Sequence, residues 1–199
     1  MPRTASGALR IDNVRVAFLH IFKPKANDKG EEKYAATMLI AKDHPDYDLI
    51  VSGILAKAKE KWKDQTAAVM KAMKLSDKIC IHDGDSKPKY PEYAGLMYIN
   101  AYNDIKPTAY GKDGRVLETY DGTLYSGCYA NVIIDLWAQD NEYGQRVNAE
   151  LMGIQFHADG ENLGGGGKAA SASDFDLPDE AASPFDDAAG DDEDLKNLM

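Results

Sequence analysis

The chain has 199 residues, enough for one substantial domain with a buried core, and a formal net charge of −10 at pH 7. That charge argues against a nucleic-acid partner only until it is located: Ala169 onward holds ten acids and one base, and the first 168 residues are nearly balanced, with 23 acids and 22 bases. Two cysteines cannot form a disulfide framework, no leader-like segment opens the chain and no apolar run approaches membrane-spanning length, so a reducing, cytoplasmic setting and no membrane are expected.

Leu9 to Phe22, "LRIDNVRVAFLHIF", is rich in β-branched and aromatic residues and reads as a long, bent strand that Pro24 ends. A charged loop around Asn27 and Gly30 leads to a second strand, Tyr34 to Ala41. A helix follows, capped by Asp43 or His44 with Pro45 in its first turn; Tyr47, Ile50, Val51, Ile54, Leu55, Ala58 and Trp62 make one apolar face. Trp62 belongs to that face, and Lys57, Lys59, Lys61 and Lys63 solvate the other. Val69, Met70 and Met73 suggest a second, shorter helix.

Ile81 to Gly95 reads as irregular. Leu96 to Asp104 alternates, with Tyr98, Asn100 and Tyr102 facing one way and Met97, Ile99 and Ala101 the other. A loop with a turn at Asp113–Gly114 separates it from two further strands, "CYANVIIDLWAQD" and "QRVNAELMGIQFH", joined by a hairpin in which Gly144 takes positive φ. "GGGG" (164–167) is a linker without the Lys-Ser/Thr ending of a phosphate loop. The inventory predicts a mainly β domain over 1–163: a five-stranded Greek-key barrel of the OB type, with a helical insertion containing one principal helix. Residues 164–199 are expected to be a glycine hinge and a disordered acidic tail. A sheet with one helix packed on it is the structural rival.

Three chemistries are open. Asp83 and Asp85 in "DGD", with Glu92 and Asp135, offer carboxylates for a metal-dependent nuclease; the plainer reading is a polar turn. Cys80, His82, Cys128 and His157 lack zinc-site spacing, and no cofactor is expected. His20, flanked by apolar residues, reads as a hydrogen-bonded structural histidine.

The third is single-strand binding, which needs cations to follow phosphates and aromatic planes on which bases stack. Eight of the eleven tyrosines fall between Lys87 and Tyr129, interleaved with lysines and an arginine. The candidate DNA-binding residues are Lys23, Lys25, Lys33, Tyr34, Lys87, Lys89, Tyr90, Tyr93, Tyr98, Asn100, Tyr102, Lys106 and Arg115. Trp137, at a strand end, fits either core or surface. Such a protein is not an enzyme; a protein-only adaptor is the remaining alternative.

"FLHIFKPK", "KYAATMLIAKD", "DGD" followed by "YPEYAGLMYINA", then "YSGCYANV", "GIQFHADGENLGG" and the acidic tail occur in an order that resembles a family of bacteriophage single-stranded-DNA-binding proteins with an OB fold. The resemblance spans most of Arg10 to Gly167. It implies a non-enzymatic protein that coats ssDNA during phage replication or recombination, with Lys23, Lys33, Tyr34, Lys89, Tyr93, Tyr98 and Asn100 in the matching motifs. It also implies that the tail contacts replication or recombination proteins; Phe175, Phe185, Asp191, Asp192, Glu193 and Asp194 are the residues expected to do so. Two departures stand out: the chain ends "DLKNLM" where such tails often end on an aromatic residue, and the helix follows only two strands, an elaboration of the simplest OB order.

Overall fold

The computed structural model describes residues 4, 7–26 and 30–163; the hinge and the tail, with Phe175, Phe185 and Asp191 to Asp194, lie outside the described residues. Seven strands form one sheet: β1 (Leu9–Ala26), β2 (Glu32–Ile40), β3 (Ile81–Asp83), β4 (Met97–Asn103), β5 (Thr108–Tyr110), β6 (Tyr129–Asn141) and β7 (Gly144–Ala158). β1 pairs with β2 and β6, β2 with β4, and β6 with β7, all antiparallel. A parallel pairing of β4 with β7, Ala101 beside Ala149, closes the ring. The result is a closed five-stranded barrel of OB connectivity. β3 extends the sheet beyond β4 and β5 extends it beyond β7.

Alternation along the strands fills the barrel. Ile11 and Val16 of β1, Met38 and Ile40 of β2, Ile99 of β4, Val132 and Ile134 of β6 and Leu151 of β7 share one buried cluster. Burying each such side chain stabilises the fold by roughly 1.5–3 kcal/mol. Helices α1 (Tyr47–Trp62) and α2 (Thr66–Leu75) lie between β2 and β4 in the chain. Ile50, Ile54, Ala58 and Trp62, spaced by four, form the buried stripe of α1, and Val69 and Met73 that of α2. The Trp62 indole N–H donates to Asp140 Oδ2 at 2.7 Å, joining the end of α1 to the end of β6.

Several local expectations are corrected. β1 runs through Pro24 to Ala26. The register slips between His20 and Lys25, so the proline sits where the ladder needs no N–H from it. Neither Asp43 nor His44 caps α1. The N-cap is Asp46, whose carboxylate accepts instead from Asp12 N–H at 3.0 Å, while its own N–H donates to His44 Nδ1 at 3.1 Å. Ile81–Asp83 is a short strand on β4, and the loop after β4 contains the short strand β5, parallel to β7. As expected, Gly144 takes positive φ, +95°; Gly114, in the turn after Asp113, does so too, at +82°.

Candidate nucleic-acid interface

Residues that point away from the barrel interior on β2 and β4 form the floor of a groove. On β4 these are Tyr98, Asn100 and Tyr102; Leu39, Thr37 and Ala35 of β2 pair with them in turn. The Thr37 hydroxyl donates to Asn100 Oδ1 at 2.9 Å, which fixes two polar groups in the middle of that floor. One wall is the β1 segment with Phe18, His20 and Lys25; the other is the β6–β7 hairpin with Trp137, Tyr143 and Arg146. The groove encloses about 1220 Å³. Its position corresponds to the face through which OB barrels generally take oligonucleotides.

The rings fall into two sets. Tyr93 and Tyr98 are buried, 3% and 4% exposed. Tyr98 stacks on His82 with centroids 4.9 Å apart and planes at 25°. It meets Tyr93 at 5.1 Å; Tyr93 meets Tyr90 at 5.5 Å, and Tyr90 meets Phe18 edge-on at 5.2 Å. His82 is in turn held by Asp77, 2.6 Å from Nδ1. Phe18, Tyr102, Trp137 and Tyr143 are open to solvent. Burial, partly offset by the Thr37 hydroxyl, pushes the Tyr93 phenol up to about 12. Burial, with Tyr98 nearby, also raises Tyr102. Both phenols therefore stay neutral at physiological pH and present no charge that would repel phosphate. His20 is held below its usual value, first by burial and then by Lys25.

Charge in the groove is mixed. Lys25, Lys33, Lys87 and Arg146 line it, and so do Glu31, Asp104 and Glu150. Lys33 pairs with Asp104 at 3.1 Å. Cations alone do not define this surface; the rings do.

Of the residues singled out in the sequence, Lys25, Lys33, Lys87, Tyr90, Tyr93, Tyr98, Asn100 and Tyr102 all line the groove. Lys89 lies beside it, its ammonium 5.8 Å from the Tyr90 centroid. Lys23 and Tyr34 belong to the same β1–β2 arm but are not part of the lining, nor are Lys106 and Arg115. Lys106 donates to the Glu118 carbonyl at 2.7 Å and Arg115 to Asp121 at 3.4 Å, which ties both into the loop that follows β4. Phe18, His20, Trp137, Tyr143 and Arg146 were not among the candidates, yet the groove contains them. Trp137 was recoverable from parity, because Val132, Ile134 and Leu136 point inward and place Trp137 outside. Tyr143 is an exposed aromatic residue at the tip of the β6–β7 hairpin.

The "DGD" acids are occupied by backbone. Asp83 Oδ1 accepts from Asp85 N–H at 3.1 Å, and Asp85 Oδ1 accepts from Gly95 N–H at 2.8 Å. Gly84 is required between them: a Cβ there would sit 2.1 Å from the Tyr93 carbonyl oxygen and 2.5 Å from that of Leu96. This turn folds the segment carrying Tyr90 and Tyr93 over the groove floor. Among the described residues no three His, Cys, Asp or Glu side chains are grouped to hold a metal ion, and no helix is long and apolar enough to cross a membrane. Cys80 and Cys128 are buried, and burial pushes the Cys80 thiol up to about 12.

The family model described as the ssDNA-binding protein of Enterobacter phage Enc34 matches residues 8–188. Protein p50 of Acyrthosiphon pisum secondary endosymbiont phage 1 is 37% identical over 172 residues, 84% of this chain and 92% of that protein. Among solved structures, the single-stranded DNA-binding protein of bacteriophage Enc34 in complex with ssDNA superposes with a TM-score of 0.68 at 29% identity, over 80% of this chain and 91% of that one. The gp2.5 single-stranded DNA-binding protein of bacteriophage T7 shares the fold, with a TM-score of 0.55 at 14% identity over 80% of this chain and 96% of its own. The family is defined by binding rather than by catalysis, in keeping with a "DGD" turn whose carboxylates hold main chain. With its barrel, its ring-lined groove and a family match that runs nearly end to end, this chain belongs to the family of the Enterobacter phage Enc34 ssDNA-binding protein.

Proposed function

We propose that this chain binds single-stranded DNA without sequence preference in the groove across β2, β4 and the β6–β7 hairpin, and coats it during phage replication or recombination in the infected cell's cytoplasm. The observation that carries the reading is the combination of open rings and cations in one channel: Phe18, Tyr102, Trp137 and Tyr143 with Lys25, Lys87 and Arg146. Stacking is tolerant of sequence because every base has a π-face, and each productive stack contributes roughly 1–3 kcal/mol. Lys23, Tyr34, Lys106 and Arg115 serve the DNA only where it leaves the groove.

The acidic tail competes for the same channel. Leu163, the last described residue, packs against the cluster of Leu39, Tyr93 and Tyr98 beneath the groove, and its N–H donates to the Ser126 carbonyl at 2.7 Å. The acidic segment is joined covalently to the same chain as the groove, and a short flexible tether gives an effective concentration on the order of millimolar. Displaced by DNA, the tail presents Phe175, Phe185 and Asp191 to Asp194 to replication or recombination proteins.

Titration of labelled oligothymidine and of a duplex, with and without Mg²⁺ and over a range of salt, tests the reading. Binding to the single strand alone, without cleavage, is expected. With four cations lining the groove, the log–log salt slope should be about −3, from roughly −0.7 per phosphate neutralised. Deleting Ala169 to Met199 should raise affinity, most at low salt. No shift of the oligonucleotide would leave an adaptor for proteins only. Equal affinity of full-length and shortened chains would remove tail competition while leaving the groove.

A further inference from the structure

Side chains along a strand alternate between faces, and β1 breaks that alternation at Phe18. Ala17 pairs with Thr37 and His20 with Ala35, so Phe18 and Leu19 together stand opposite Ala36 alone. Such a bulge re-aims one side chain. Ala17 is buried with Leu39 and Tyr98, and Leu19 packs against the barrel core. Phe18, between them, also turns outward and lines the groove. Its φ is +48°, in the left-handed region that a bulky side chain rarely adopts.

This arrangement is unfavourable on two counts. The backbone is strained, and the ring it carries is 39% exposed. Packing does not account for it. The ring contact resolved for Phe18 is with Tyr90, T-shaped at 5.2 Å with planes at 81°, a geometry that engages at most one of the two faces of the Phe18 ring. Strain of this kind persists where the surroundings over-determine it, and it gathers at binding sites.

We propose that Phe18 is a base-stacking residue whose bulge exists to aim its ring, and that Phe18 and Tyr90 form a right-angled corner that takes one unpaired base. The inference rests on the reading of the groove as a single-strand site and names one of its contacts. A base inside a duplex is already stacked on both faces and has no face to offer, so the corner also contributes to preference for single strands.

The full-length chain and its Phe18→Gly and Phe18→Tyr variants would be titrated with labelled oligothymidine and with an abasic oligonucleotide of the same length, and each protein would be melted thermally. Glycine is at ease at positive φ. Phe18→Gly should therefore lose affinity for oligothymidine by about tenfold while its melting temperature stays level or rises. Phe18→Tyr should bind as the parent does, and on the abasic strand all three proteins should bind alike. The proposal is overturned if Phe18→Gly binds oligothymidine like the parent, if its affinity and melting temperature fall together, or if Phe18→Tyr loses as much as Phe18→Gly. Failure of the parent chain to bind oligothymidine would overturn the functional reading as well; parental binding with an indifferent Phe18→Gly overturns the corner alone.

Discussion

Tyr98 and Tyr102 project from the same face of β4 into opposite ends of one groove. Tyr98 is 4% exposed, closed in by His82 on one side and Tyr93 on another. Tyr102 is 50% exposed and opposite Glu150 of β7, towards the hairpin that carries Trp137 and Tyr143. Residue type and strand parity are the same; what differs is the cover. The turn built by Asp83, Gly84 and Asp85 brings Tyr90 and Tyr93 over Tyr98, and among the described residues no segment does the same for Tyr102. A tyrosine cluster in the sequence thus divides into covered rings that give the groove its shape and open rings that remain free to meet a ligand.

The sharpest break in that comparison is energetic. Tyr98→Ala should destabilise the fold by about 3–5 kcal/mol, the usual cost of truncating a buried aromatic residue, measured by denaturant unfolding. Tyr102→Ala should move stability by no more than about 0.5 kcal/mol. It should instead weaken oligothymidine binding by roughly 1–3 kcal/mol, measured by titration of the folded variant. The reverse order, stability lost at Tyr102 and only binding lost at Tyr98, would undo the division into covered and open rings.

A smaller effect belongs to His20 on the β1 wall. Its folded value is lowered by burial and by Lys25, so the unfolded chain binds the proton more readily. Stability from this site is complete above the ordinary histidine value of 6.5 and is lost as pH falls through the lower folded value. The unfolding midpoint of the parent should therefore drop more than that of His20→Gln between pH 7 and pH 5. Parallel pH profiles for the two proteins would contradict the assignment.

Much of this was legible in the sequence, and for identifiable reasons. Long strands with one buried face announce themselves by alternation, which is why β2, β4, β6 and β7 and the outward trio Tyr98, Asn100 and Tyr102 could be read directly. The stripe of Ile50, Ile54, Ala58 and Trp62 was visible for the same kind of reason. β3 and β5 were not, because three-residue strands carry no period of their own and exist through their pairing with β4 and β7. Pro24 and Phe18 defeated the reading of β1 because bulges change register without a reliable signature in composition. Lys106 and Arg115 illustrate another limit: interleaving of cations and tyrosines along a loop does not fix which way the loop turns them, and both are engaged within their own segment.

The central claim is that bases lie against the open rings of this groove, and tryptophan emission tests it most directly. The chain has two tryptophans; Trp62 is buried and bonded to Asp140, whereas Trp137 is 43% exposed in the groove. Adding oligothymidine should quench the fluorescence of the full-length protein, and Trp137→Phe should abolish the quenching while leaving a protein that still shifts the oligonucleotide. Complex formation without any change in Trp137 emission would contradict the account.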